Sequence, residues 1–295
     1  MPRTFRERVP YSAIIDRPPL KLPHGARMVV WPIVNVEVWD QHRPMPRTVL
    51  PPPMGNPLLP DLPNWSWHEY GMRVGFWRIY EFLRSAGIVP TLALNGSVCN
   101  EYPRVLDAAL KEGWEFMGHA YVQGPMHKLE DQREAIRKTI DAIRAFTGKA
   151  PRGWESPGLT ETFETIDILA EEGIEYVADW VMDDQPCEIA TTAGPVIAMP
   201  YTVETNDVPM MSVAQHASDE WLKRGIRQFD RLYQESVSHE INAGARVMAI
   251  SMHPYLSGVP HRIGYVEELF QYVLSKKDVV LWTGEQILDW YRGQK

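Results

Sequence analysis

The sequence predicts a parallel α/β architecture in a single domain. Three observations carry that prediction. Short apolar, β-rich runs recur along the 295 residues. Amphipathic helical stretches separate them, which is the pattern of strand–helix–strand units. No internal repeat and no second domain boundary interrupts the alternation. About seven strands over this length suit a barrel or an open sheet.

The elements follow in order. "ARMVVWPIVNVEVW" (26–39) reads as a buried first strand. "GIVPTLAL" (87–94), "WEFMGH" (114–119), "EYVADW" (175–180), "VIAMP" (196–200), "RVMAISMHP" (246–254) and "DVVLW" (278–282) continue the series, and Trp154 lies in a further strand between Arg152 and Glu155. In "EDQREAIRKTIDAIRAFTG", Ile136, Ile140 and Ile143 share one helical face and Gly148 is a natural C′ residue. "TETFETIDILAEEG" repeats that pattern with Phe163, Ile166, Leu169 and Gly173. Thr283 and Gln286 form a capping-box pattern at the start of the last helix.

Residues 1–25 are broken by prolines and charges and read as an N-terminal arm, ahead of a barrel domain over 26–295. Within that domain, residues 43–63 hold eight of the 25 prolines. Proline removes backbone donors, so regular helix or central strand is not expected there. A loop this long is usually functional or disordered. It is expected to be either a lid over the site, with Trp65 and Trp67 as lining, or a wrapping or subunit-contact arm.

Composition narrows the partners. Apolar residues make up 44 % and charged residues 23 %, the balance of an ordinary globular chain. The net charge of −8 works against nucleic acid and anionic membranes, both of which need clustered basic charge. No stretch approaches the ~20 apolar residues of a spanning helix. Two cysteines, Cys99 and Cys187, are expected to remain reduced. The expected setting is cytoplasmic, with a small-molecule substrate. The loop and the aromatic content suggest a homo-oligomer.

In parallel α/β folds the site gathers at the C-terminal ends of the strands. Asn35, Glu37 and Asp40 fall there, as do His119 with Gln123 just beyond, Arg152 and Glu155 around Trp154, and Asp179, Trp180, Asp183 and Asp184. Glu204, Asn206 and Asp207 follow, then His253. A lone histidine at a strand end is more often structural, but two of them beside a carboxylate inside an apolar run point to chemistry. Asp183 and Asp184 could equally turn the chain, and His127 and His261 read as rim residues. Trp154 and Trp180, beside polar strand ends, are candidate pocket walls.

The order of these motifs resembles that of the polysaccharide deacetylase (NodB-homology) family, over roughly residues 26–285. The resemblance implies a distorted (β/α)7-type barrel and hydrolysis of C–N amide bonds. The family's acidic pair falls on "VNVEVWD", its His-x-x-x-His metal motif on His119 and Gln123, its orienting arginine on Arg152, its Asp–Trp motif on Asp179 and Trp180, and its acid histidine on His253. Two positions depart from the pattern: Asn35 stands at the first acidic place and Gln123 at the second histidine. A metal would lose a strong nitrogen ligand there. Those losses, with "EYGMRVG", "ETNDVP" and "HPYLSGVPHR", resemble the small-molecule branch that includes metal-independent allantoinases and cyclic-imide hydrolases.

Three functions are consistent with this reading. In the first, a cyclic amide, imide or ureide is opened. Glu37 is base or water holder, Arg152 orients it, and His253 protonates the leaving nitrogen. His119 holds the oxyanion or a metal, Asp179 fixes a histidine tautomer, and Trp154, Trp180, Asn206 and Gln123 address the substrate. In the second, a weakly held divalent ion, zinc by preference, sits on Glu37 and His119 and serves an N-deacetylase. In the third, the scaffold only binds. The resemblance also leans toward a homo-oligomer such as a tetramer.

Overall fold

The computed structural model describes residues 4–294. One sheet runs through the molecule, built from β1 (Met28–Val36), β2 (Thr91–Leu94), β3 (Glu115–Gly118), β4 (Gly153–Trp154), β5 (Tyr176–Val177), β6 (Cys187–Ile189), β7 (Val196–Ala198), β8 (Arg246–Met252) and β9 (Val279–Leu281). Their order is β6-β7-β5-β4-β3-β2-β1-β8, with β9 paired to the start of β1. Every described pairing is parallel except β6–β7. The two ends of this path are bridged by isolated bonds: Val247 N to Asp184 O at 3.0 Å, and Gln185 Nε2 to Ala245 O at 3.1 Å. The result is the distorted (β/α) barrel expected. Only β6 was not anticipated. It is three residues long and carries Glu188 at its centre, so no apolar run marks it.

The helices are α1 (Phe5–Arg8), α2 (Leu62–Tyr70), α3 (Phe76–Ser85), α4 (Val98–Glu101), α5 (Pro103–Lys111), α6 (Gln132–Thr147), α7 (Thr165–Glu171), α8 (Ser218–Glu235), α9 (Ile263–Leu274) and α10 (Gly284–Arg292). Helix α6 buries Ile136, Ile140 and Ile143 and ends on Gly148 at φ 77°, and α10 starts with the Thr283–Gln286 capping box.

The strand that aims the site is β1. All nine of its residues are buried, as expected for a parallel strand covered on both faces. Met28, Val30, Val34 and Val36 pack with the outer helices, while Val29, Trp31 and Ile33 pack inside the barrel with Tyr176, Met199 and Tyr201. Side chains alternate along a strand. Asn35 and Glu37 share the parity of Trp31 and Ile33, so both enter the interior at its C-terminal end. Pro32 is tolerated for a geometric reason. Even-numbered carbonyls of β1 face β9 and then β2: Val30 O accepts from Trp282 N and Val36 O from Asn95 N. Pro32 falls where β9 stops and β2 begins, so its missing N–H breaks no ladder bond.

The arm, apart from residues 1–3, which lie outside those described, wraps the barrel. Buried Arg8 pairs with Asp167 at 2.6 Å, Arg17 pairs with Asp183 at 2.6 Å, and Leu22 enters the inner core. Apart from one 3₁₀ turn at Pro53–Gly55, the proline-rich segment is irregular up to residue 61, but α2 begins within it at Leu62. Asp61 caps that helix, and Pro63 sits in the first turn, where its missing donor costs nothing. Met45 is buried in the outer core, and Asn64 Oδ1 accepts from Val49 N (2.7 Å) and Leu50 N (3.0 Å), so 45–50 is pinned at both ends. A surface groove of about 870 Å³ lies between α3 and α9, lined by Arg73, Trp77, Phe82 and Gln271 among others. None of the candidate site residues lines it. Cys99 and Cys187 are free thiols, and no helix among the described residues is long and apolar enough to cross a membrane.

Candidate active site

The parallel ladder runs one residue past the strands and carries the polar side chains with it. His119 N bonds Leu94 O at 2.9 Å and Glu155 N bonds Gly118 O at 2.9 Å. Immediately after His119, Ala120 adopts φ 58°, a strained value for a residue with a Cβ and one that clusters at functional sites. Glu37, His119 and His253 converge: Glu37 Oε1 lies 3.6 Å from His119 Nε2 and 3.6 Å from His253 Nε2. The three side chains are 2–6 % exposed, so the centre is deep and poor in water.

Each of the three is held by identifiable partners. Glu37 accepts from Gln123 Nε2 at 2.8 Å and from Trp39 Nε1 at 2.9 Å. Burial pushes its pKa up, but the facing His119 Nε2 at 3.6 Å and the charges of His253, His119 and His68 outweigh burial and bring it down to about 2. His119 Nδ1 donates to the Glu155 carbonyl at 2.7 Å, which directs Nε2 at Glu37. Burial lowers the His119 pKa, but Glu155 and Glu37 more than offset it and carry the group up to about 9. At neutral pH His119 is therefore an imidazolium whose Nε2–H has no protein partner.

His253 is held by Asp207, whose Oδ1 lies 2.6 Å from Nδ1 and whose Oδ2 accepts from the His253 backbone N–H at 2.7 Å and from Ser257 Oγ at 2.6 Å. Burial opposes the charge on His253, and Asp207 overrides it, so the pKa is raised. Asn35 Nδ2 acts the other way. It lies 3.1 Å from His253 Nε2 and 3.2 Å from Glu155 Oε1, and it stabilises the imidazole whose Nε2 is a bare acceptor. An acidic residue at position 35 would instead confront the Glu155 carboxyl.

Asp207, not Asp179, thus holds the His253 ring. Asp179 accepts from Ser156 N at 2.7 Å and faces the Glu161 carboxyl. Burial raises the pKa of both acids. Trp180 donates to Glu161 at 3.2 Å and packs on Phe5. Asn206 donates to the Tyr201 hydroxyl at 2.7 Å and accepts from Val208 N, which braces the turn that delivers Asp207. Two expected site residues lie elsewhere. Arg152 precedes β4, so it sits at the base of the barrel, where it binds Glu175 (2.6 Å) and Asp289 (2.9 Å) and cannot orient Glu37. Trp154 is fully buried among Ile136, Ile140 and Ile166 between sheet and helices, so it is no pocket wall. The sequence also concealed His68. It is buried on α2 and stacked on Trp39 with ring centres 4.4 Å apart. Burial drives its pKa down to about 4, so it is neutral, and its Nδ1 is unpartnered.

A divalent metal does not fit the donor set. His119 Nε2 and Glu37 Oε1 are the two strong donors, and Gln123 stands at the third place. Its orientation is fixed from a backbone group upward. Val38 N–H donates to Asn95 Oδ1 (2.8 Å), so Asn95 Nδ2 must face Gln123 Oε1 (3.1 Å), and Gln123 Nε2–H must face Glu37. A cation at Glu37 Oε1 would meet amide hydrogens. Among the described residues no cluster of three or more His, Cys, Asp or Glu could hold a metal.

Comparison with known proteins places this architecture. The polysaccharide deacetylase family model matches residues 67–177. That part of the chain is similar to the polysaccharide deacetylase family. A Schizosaccharomyces pombe sequence with the same family description is 26 % identical over 240 residues, covering 75 % of this chain and 74 % of that one. Two crystal structures share the fold. A probable polysaccharide deacetylase from Pseudomonas aeruginosa PAO1 has a TM-score of 0.84 at 24 % identity, covering 100 % and 99 % of the two chains. Puue allantoinase has a TM-score of 0.84 at 23 % identity, covering 99 % and 98 %.

Proposed function

We propose that this protein hydrolyses a C–N bond in a small cyclic amide, imide or ureide without a metal ion. The observation that carries the proposal is the meeting of Glu37 Oε1 with two histidine Nε2 atoms at 3.6 Å each, while an amide N–H group of Gln123 fills the third ligand place. The depth of these groups favours a small substrate over a polymer, whose chain would need an open groove. The likeness to Puue allantoinase lends support at the level of fold.

Water attacks the carbonyl carbon and passes a proton to Glu37. The carbonyl π pair moves to oxygen, where the charged His119 Nε2–H stabilises it. The C–N bond then breaks as His253 Nε2–H gives its proton to nitrogen. Glu37 returns its proton to His253 across their 3.6 Å separation, which restores the site. A carboxylate held at about pKa 2 is a poor base in isolation. His253 loses its charge as it donates, which removes one of the influences that depress Glu37, so the two transfers assist one another. Asn35 favours the neutral imidazole that results.

The test is metal content by elemental analysis, with hydrolysis of succinimide and of allantoin measured before and after chelation. The expected result is substoichiometric metal and chelator-indifferent turnover. About one zinc per chain, with activity lost on chelation, overturns the proposal and makes Glu37 and His119 ligands.

A further inference from the structure

Arg47 has no assigned role, and its position is unusual. It lies on the proline-rich segment between the two anchors at Met45 and Asn64, half-buried. Arg43, on the same segment, pairs with Asp40 at 3.4 Å. Arg47 pairs with no carboxylate among the described residues. Its one hydrogen bond is from Nη1 to the neighbouring Pro46 carbonyl at 3.0 Å, which leaves Nε and Nη2 uncommitted.

The guanidinium lies at the mouth end of the barrel, beside the loop after β4. Nη2 lies 4.0 Å from the place a Cβ on Gly158 would occupy, in the loop after β4. Its charge also acts on Tyr255, in the loop after β8: burial pushes that phenol well above its usual pKa, and Arg47 pulls against the shift. β4 and β8 are separated in the sheet by β3, β2 and β1. Both loops leave the C-terminal ends of their strands, the end of the barrel at which Glu37, His119 and His253 lie. Tyr255 contacts that centre directly, with its ring 5.7 Å from His253 and 5.1 Å from Trp39.

We propose that Arg47 is an anion-binding subsite, and that the substrate of this site is a ring carrying a carboxylate. The proposal rests on the cyclic-amide reading and extends it to the group outside the ring. An uncommitted Nε/Nη2 edge matches a carboxylate in bidentate geometry, which a lysine point charge does not reproduce. In a chain of net charge −8, an unpaired cation at the same end of the barrel as Glu37, His119 and His253 draws an anionic ligand to that mouth.

The test uses two hydantoins of similar size, hydantoin-5-acetate and neutral 5-ethylhydantoin, with wild type, Arg47→Gln and Arg47→Lys. Wild type is expected to favour the carboxylated ring in kcat/KM by about tenfold or more. Arg47→Gln brings that ratio close to one, and Arg47→Lys falls between. An undiminished ratio in Arg47→Gln, or no preference in wild type, overturns the subsite. If wild type opens neither ring, calorimetry of the same pair decides. Tighter binding of the carboxylated ring to wild type than to Arg47→Gln keeps the subsite and counts against the hydrolysis reading. Equal or absent binding overturns the subsite itself.

Discussion

Asp207→Asn separates the dyad from its alternatives. Asp207 meets three donors: the His253 backbone N–H at 2.7 Å, Ser257 Oγ at 2.6 Å, and His253 Nδ1 at 2.6 Å. The backbone N–H and the serine share Oδ2, so an asparagine must place its single oxygen there. Its NH2 then faces Nδ1 and forces the ring proton to Nε2. Asn35 Nδ2 waits 3.1 Å from that atom, so donor faces donor. Loss of the hydrogen bond to a charged group costs about 1.5–3 kcal/mol, or roughly 10- to 150-fold in rate. Loss of the aspartate from a His–Asp pair can cost about 10⁴. The expected fall in kcat/KM therefore lies between about 10 and 10⁴. The alkaline limb of the pH profile should also shift to lower pH, because Asp207 is what raises His253. Nitrogen-15 NMR of the imidazole reads the tautomer independently of turnover. Activity within threefold of wild type, or a proton still on Nδ1, refutes the reasoning.

Other substitutions test separate contacts. Arg152→Ala should lower Tm by a few degrees through the lost Glu175 and Asp289 pairs yet leave kcat/KM within about twofold; a hundredfold loss would restore the arginine to the site. Gly75→Ala places a Cβ against the Pro254 carbonyl, in the loop that bears His253, so kcat should drop more than KM changes while far-UV circular dichroism is retained. Gln123→His removes the amide hydrogens that face Glu37 and supplies an imidazole in their place, so zinc bound after dialysis should rise from a trace toward one per chain; no gain would mean that Gln123 is not what excludes the metal.

Much of the fold was legible because parallel strands buried on both faces leave apolar runs, and because parity along β1 places Asn35 and Glu37 inside without further information. The site was legible where a polar residue ends such a run, as at His119 and His253. Arg152 was misplaced because β4 is only two residues long. A shift of one or two residues in where so short a strand starts exchanges the base of the barrel for its mouth, and no run length fixes that start. Trp154 was misread for a related reason. Gly118 beside it leaves room for the indole on the helix side, a packing choice invisible in either residue alone. His68 carried no signal at all, because it reaches the centre from a helix beyond the proline-rich segment, followed by a π-turn at 71–75 whose glycines seat against Pro254 and Tyr255.

The departure of Gln123 from the metal pattern raises a question of charge. A metal would supply positive potential both to the water and to the oxyanion. Here that potential must come from His119, and a buried imidazole loses its proton readily unless an anion keeps it. Glu37 is such an anion, so in the proposed reaction its role includes holding His119 charged as well as taking a proton from water. Glu37→Gln should then lower the His119 pKa from about 9, because burial, the largest influence on that group, would be opposed only by Glu155. The sign has a consequence for stability. His119 is raised from 6.5, so its contribution is complete below pH 6.5 and is lost as pH rises through about 9. Glu37 is lowered from 4.5, so its contribution is complete above pH 4.5 and is lost as pH falls through about 2. Glu37→Gln should therefore be most destabilising, relative to wild type, between pH 4.5 and 6.5, and the deficit should narrow toward pH 9. NMR titration of the His119 ring with parallel denaturant unfolding across that range decides the matter. An unchanged His119 pKa in Glu37→Gln would show that Glu155 alone sustains the charge and that Glu37 acts on the water only.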